Sequence, residues 1–259
     1  MNRSDFGCDD LVVLHEDRHI LVAVKPQNVP SQADDSGDPD MLTAVKEHIK
    51  KETGKDNVYC GLVHRLDRPT GGVMVFAKTS KAAERLCSAI KEGSFEKTYF
   101  CVTCGVPRER SANLTHYLKK NEAKNIVMVV PMLTEGAKKA ELHYDVLEVK
   151  QGFSLVRVKL MTGRSHQIRV QMATIGCPLF GDRKYGADAR TFGHNLALWA
   201  AELRFTHPVS KEKMNFIVYP PEDISPWKAF EMGSYLNVSA INSDPYAVRT
   251  HFSDGLPLK

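Results

Sequence analysis

An α+β fold, with a mixed and mainly antiparallel sheet flanked by helices and loops, is what this sequence predicts. Three observations lead there. Short apolar runs recur between turn residues, several of them in hairpin-like pairs. A few stretches carry the apolar spacing of a helix. The two kinds do not alternate regularly, which argues against a doubly wound parallel sheet. The chain has 259 residues, 42% hydrophobic and 25% charged, enough to bury a sizeable core. We expect a single domain over 1–259, with its core at about 11–220 and a loosely packed extension over 221–259.

Taken in order, residues 11–14 and 20–24 read as a hairpin ending at Lys25-Pro26. The polar stretch 27–38 reads as a loop. Asp38 and Pro39 suit the cap and first position of a helix running to about Glu52. Residues 58–63 and 72–77 are strand-like. Ser80 suits the cap of a helix over 81–92, which Gly93 closes. Residues 99–103 read as a strand, and 142–149 with 154–160 as a pair. Between them, 114–118 and 126–130 are weaker strand candidates. A helix is expected over 165–175, with His166 and Arg169 on one face. Late strands are expected at 196–205 and 214–218.

Composition narrows the function. No apolar run approaches the roughly 20 residues of a spanning helix, so no membrane role is expected. The first residues, MNRSDFGCDD, do not read as a signal peptide. The six cysteines are then expected as free thiols in a reducing cytosol. Cys101-Val-Thr-Cys104 has redox-like spacing but lies in a strand pattern with no second pair to complete a zinc site. A net charge of +4 permits an RNA partner without requiring one. Acidic residues gather at Asp34, Asp35, Asp38 and Asp40, whereas Arg65, Arg68, Arg164, Arg169, Arg183 and Lys184 surround the later motifs.

The segment richest in chemistry is Gly61-Leu-Val-His64-Arg65-Leu66-Asp67-Arg68-Pro69-Thr70-Gly71-Gly72. Arg65 and Arg68 flank Asp67, and nearby cations favour its ionised form, so a depressed pKa is expected. An ionised aspartate suits a nucleophile or an electrostatic stabiliser better than a general acid. Pro-Thr-Gly-Gly would then turn the backbone close to a ligand.

This segment resembles the signature loop of RluA-type pseudouridine synthases. Further matches follow in that family's order: Lys97-Thr98-Tyr99, then Gly163 to Arg169, Gly181 to Gly186, and Leu203 to Pro208. Two positions depart from the pattern. Gly71 stands for the usual Ser, and Trp199 for the usual His. The resemblance implies the pseudouridine synthase fold with a central RNA-binding cleft. It implies an enzyme that breaks the N-glycosidic bond of a flipped uridine, turns the base and rejoins it through carbon-5, with no metal or organic cofactor. It assigns the nucleophile to Asp67, an active-site aromatic and proton-transfer role to Tyr99, and pairing with the catalytic carboxylate to Arg169. Arg65 is implied to hold the RNA open as the base leaves the stack. His64, Arg68, Arg164 and His166 are the other expected RNA contacts.

Three other classes compete, one of them a purely structural interaction protein, which would leave the agreement of five motifs unexplained. A carboxylate glycosidase would need a second carboxylate as acid, and only Asp182 lies in a matching motif. A non-catalytic RNA-binding or chaperone protein would have little reason to keep Asp67, Tyr99 and Arg169 together. The expected partner is structured RNA, ribosomal or transfer, bound by a cytoplasmic monomer without an N-terminal accessory module and with no obligate protein partner.

Overall fold

A computed structural model describes residues 6–186, 188–235, 248–250, 252–253 and 256–257. The chain forms two compact units. The first takes Met1–Glu96, Ala200–Pro221 and Asn237–Lys259, the second Lys97–Trp199 and Glu222–Leu236. The architecture is α+β, and no helix among the described residues is long and apolar enough to cross a membrane.

In the first unit the strands run in the order β1 (Val12–Glu16), β2 (Ile20–Lys25), β4 (Gly71–Ala77), β10 (Leu198–Thr206) and β11 (Lys213–Val218). The two-residue β3 (Gly61–Leu62) also pairs with β4. β1 and β2 form the expected hairpin, and Asp17 fixes its turn by accepting from the backbone N–H groups of His19 (2.6 Å) and Ile20 (2.8 Å). Every residue of β2 and β4 is buried, which explains why both read as continuous apolar runs. Helix α1 (Met41–Thr53) starts later than expected. Its cap is Asp40, not Asp38, and Asp40 accepts from Thr43 N at 3.1 Å. Helix α2 (Ser80–Lys91) is capped by Thr79 instead of Ser80, because the Thr79 hydroxyl reaches Ala82 N at 3.2 Å.

In the second unit the order is β5 (Glu96–Cys104), β9 (Phe153–Leu160), β8 (Lys138–Lys150), β6 (Ser111–Asn121) and β7 (Ile126–Val130), all antiparallel. Helix α3 (Gln167–Thr174) lies on one face, where Leu118, Val127, Ala140 and Val170 form a buried cluster. Successive cross-strand partners share a face. The register therefore carries this face along β8 from Ala140 through Leu142 to Tyr144, then across Val158 to Tyr99. Strands β6 and β8 are much longer than their apolar residues suggest, because ladder pairing continues through polar positions. The segment 222–235, expected to be loose, is held by buried Trp227, Phe230 and Met232 and by Tyr235 Oη donating to Glu148 at 3.0 Å. Of the rest of the extension, only the short strands β12 (Val248–Thr250), β13 (Phe252–Ser253) and β14 (Leu256–Pro257) are described.

Candidate active site

The loop around Asp67 is tied down from below by the segment that follows β2. Ser31 Oγ donates to Leu66 O (2.8 Å) and accepts from Leu66 N (3.1 Å). Asn28 N donates to Arg68 O at 2.8 Å, and Gln27 Nε2 to Pro69 O at 3.0 Å. Thr70 N closes a four-residue turn onto Asp67 O at 2.9 Å. At the centre is Lys25, 0% exposed, whose ammonium donates to the carbonyls of Pro26, Val29 and Arg68. Burial lowers the Lys25 pKa, the negative charge of Asp67 opposes this and the cation of Arg68 adds to it, leaving a value of about 7. Asp67, half-buried, thus sits in a backbone that is fixed at five successive residues, Leu66 to Thr70, and beside a buried cation.

Two residues expected to contact RNA also have partners within the fold. The Arg68 guanidinium is gripped by Asp34, Asp38 and Ser36, so the early acidic cluster folds over it. His64 Nε2 accepts from Val75 N at 3.1 Å, and its ring lies 5.6 Å from that of Phe95. Nothing in the sequence pattern tells these partners apart from solvent. Arg65 is exposed.

In the second unit Arg169 lies on α3 and is 4% exposed. Its Nε and Nη2 meet the two carboxylate oxygens of Asp182 at 2.8 and 2.7 Å, and its guanidinium lies 5.2 Å from the centre of the Tyr185 ring. Burial pushes the Asp182 pKa up. The bonds and charge of Arg169, with the N–H groups of Lys184 and Tyr185, outweigh that and hold it below the ordinary range. A fork-shaped pair of this kind fixes the plane of the guanidinium as well as its position. Tyr185 is itself pinned. Its oxygen accepts from Val127 N at 2.8 Å, and its hydroxyl is hydrogen-bonded to His166 Nδ1 at 2.7 Å. His166 adopts φ 51° at the start of α3, a left-handed conformation that costs a non-glycine residue about 1–2 kcal/mol. Tyr99 is 6% exposed and on the α3 face of its sheet. Arg164 is exposed, with its Nε donating to Lys139 O at 2.9 Å.

Sequence reasoning passed over Tyr185 and Lys25, and weighed Asp182 only as the acid of a rival glycosidase. Asp182 and Tyr185 stood in a quoted motif, but nothing at a spacing of 13 residues signals a bidentate pair. Lys25 looked like a strand end. No group of three or more His, Cys, Asp or Glu among the described residues is arranged to hold a metal. Cys101 and Cys104 are both buried and burial raises both thiol pKa values, that of Cys104 to about 11 with a further push from the charge of Asp188, so neither is a ready thiolate.

The chain is similar to known proteins over most of its length. Residues 19–174 match the family model described as RNA pseudouridylate synthase. It is 33% identical over 220 residues to an uncharacterised RNA pseudouridine synthase, YlyB, of Bacillus subtilis, covering 83% of this chain and 71% of that one. It is 34% identical over 228 residues to ribosomal large subunit pseudouridine synthase D of Pseudomonas aeruginosa, covering 83% and 69%. Human RNA pseudouridylate synthase domain containing 1 has the same fold, with a TM-score of 0.69 at 22% identity over 93% of this chain and 98% of that one. Motifs, fold and relatives agree, and the chain belongs to the RluA-type RNA pseudouridine synthases, enzymes that isomerise uridine in RNA to pseudouridine.

Proposed function

We propose that this enzyme modifies uridine in large-subunit ribosomal RNA, working in the cytoplasm, with Asp67 as nucleophile and Tyr99 and Arg169 as its catalytic partners. The substrate reading is supported by relatives named ribosomal large subunit pseudouridine synthases C and D, each 32–34% identical to this chain. The site reading is carried by one observation above the rest, the buried guanidinium of Arg169 held in a fixed plane by Asp182. Keeping a cation 4% exposed is expensive unless it is paired. A solvated surface arginine needs no such support.

In the proposed reaction the bond from ribose C1′ to N1 breaks as Asp67 attacks the sugar or assists a glycal-like intermediate. The freed uracil turns and C5 bonds to C1′, either as the Asp67–C1′ bond breaks or, from the glycal, as the proton taken from C2′ returns. The C5 proton is then removed and N1 gains a proton, so the sequence is redox-neutral. Lys25 and its three carbonyl acceptors hold the Asp67 loop. Tyr99 supplies a ring against the base and a hydroxyl for the proton transfer. Arg65, Arg164 and His166 are retained as RNA contacts, whereas we assign His64 and Arg68 to the fold.

Pseudouridine mapping of total RNA from cells with and without the gene tests this reading. Loss of one or a few large-subunit ribosomal sites is the expected result. Loss confined to transfer RNA would replace the substrate, and an unchanged map would overturn the assignment.

A further inference from the structure

We propose that the far end of the second unit's sheet is a second RNA-binding surface, which grips phosphates several nucleotides from the target uridine. The inference rests on the RNA-modifying activity above and adds a location to it. At this end β6 and β7 join through residues 122–125, and the register sets Lys120 opposite Val127 and Leu118 opposite Lys138. Two side chains from elsewhere reach the same end. Lys184 Nζ donates to Asn125 O at 2.8 Å, and Arg164 Nε to Lys139 O at 2.9 Å. Lys124, Lys138, Arg164, Arg183 and Lys184 are thereby gathered, all of them exposed.

The charges here are not balanced. Glu122 and Glu141 are already taken by Lys120 (2.5 Å) and Lys139 (2.8 Å), and Glu135 in the β7–β8 connection is outnumbered by the cations around it. Lys124, Lys138, Arg164 and Arg183 have no carboxylate partner among the described residues. Unpaired cations gathered at one end of a sheet favour a polyanion, and binding releases its counterions. The exposed aromatics of the described chain, Tyr59 and Phe192, are not among these residues. The surface therefore suits phosphates, which position RNA without reading sequence, better than stacked bases.

Position relates this end to the catalytic residues. Lys138 is on β8, six residues from Tyr144, the position level with Tyr99 through Val158, and it shares their face. At roughly 3.3 Å per residue the separation is about 20 Å. Tyr185 bridges the interval, since it carries the Arg169 cation on its ring and accepts from Val127 N in the hairpin.

The test measures binding of a fluorescently labelled RNA stem-loop of about 40 nucleotides between about 50 and 300 mM KCl. A triple variant, Lys124→Ala, Lys138→Ala and Arg183→Ala, should bind about 10–100-fold more weakly at physiological salt. Its slope of log affinity against log salt should be shallower by about 2–3, near one unit for each lost phosphate contact. A control triple variant, Lys50→Ala, Lys55→Ala and Lys91→Ala, removes the same charge from the first unit and should keep the wild-type slope. An unchanged slope in the first variant, or an equal loss in the control, would overturn the surface. Wild-type protein that bound no RNA would overturn the parent reading as well, so the two failures are distinguishable.

Discussion

Arg169 is among the most costly residues in the second unit to keep buried, and Asp182 offsets part of that cost. Asp182 is 4% exposed, and its two oxygens take Nε and Nη2 of the guanidinium. Asp182→Asn preserves shape but removes the charge, leaving a cation in a poorly solvated place, a change worth about 3–5 kcal/mol. The expected outcome is a lower melting temperature together with a large fall in kcat and little change in KM, measured well below the melting transition. Asp182→Glu should recover part of the activity if the carboxylate acts through Arg169. A variant with wild-type melting and turnover would show that Arg169 does not depend on this partner. At this scale the sequence told half the story. Asp67, Tyr99 and Arg169 were singled out because they lie in dense motifs, but partners such as Asp182 for Arg169 and Asp34 for Arg68 depend on tertiary placement that no spacing reveals.

Elements were legible where one period dominated. The β1–β2 hairpin, β4, β7 and all three helices lie close to their expected positions, because apolar runs or helical spacing mark them. Strands β6 and β8 were underestimated because one face is solvated and polar. Helix caps slipped by one or two residues, since Asp38 and Asp40, or Thr79 and Ser80, are equally good cap types until geometry chooses. A tighter constraint lies beside the Asp67 loop. Gly72 has φ 121°, and a Cβ there would meet Ala200 O at 2.2 Å and Ala200 N at 2.6 Å, both of them backbone atoms that cannot swing aside. Gly72→Ala should therefore cost about 3 kcal/mol or more. Gly54→Ala, at φ 65° with nothing within 4 Å, should cost only about 1–2 kcal/mol of backbone strain. Urea denaturation of the two variants checks the ranking. Equal losses would mean that the chain beside Gly72 can move.

Across the whole molecule, the fold class and the family were readable because five motifs follow one another in order. The division into two units was not. It depends on Ala200–Pro221 joining Met1–Glu96 while 222–236 joins the second unit, pairings remote in sequence that local patterns do not encode. The same division assigns Asp67 to one unit and Tyr99 with Arg169 to the other. The proposed chemistry centres on the Asp67 carboxylate. The most direct measurement is single-turnover pseudouridine formation by Asp67→Asn on a mapped substrate RNA, followed by tritium release, with binding of the same RNA measured in parallel. The account predicts unchanged binding and folding with turnover reduced by more than about 10³-fold, as for loss of a nucleophile elsewhere. Turnover by the variant above a few per cent of wild type would contradict it.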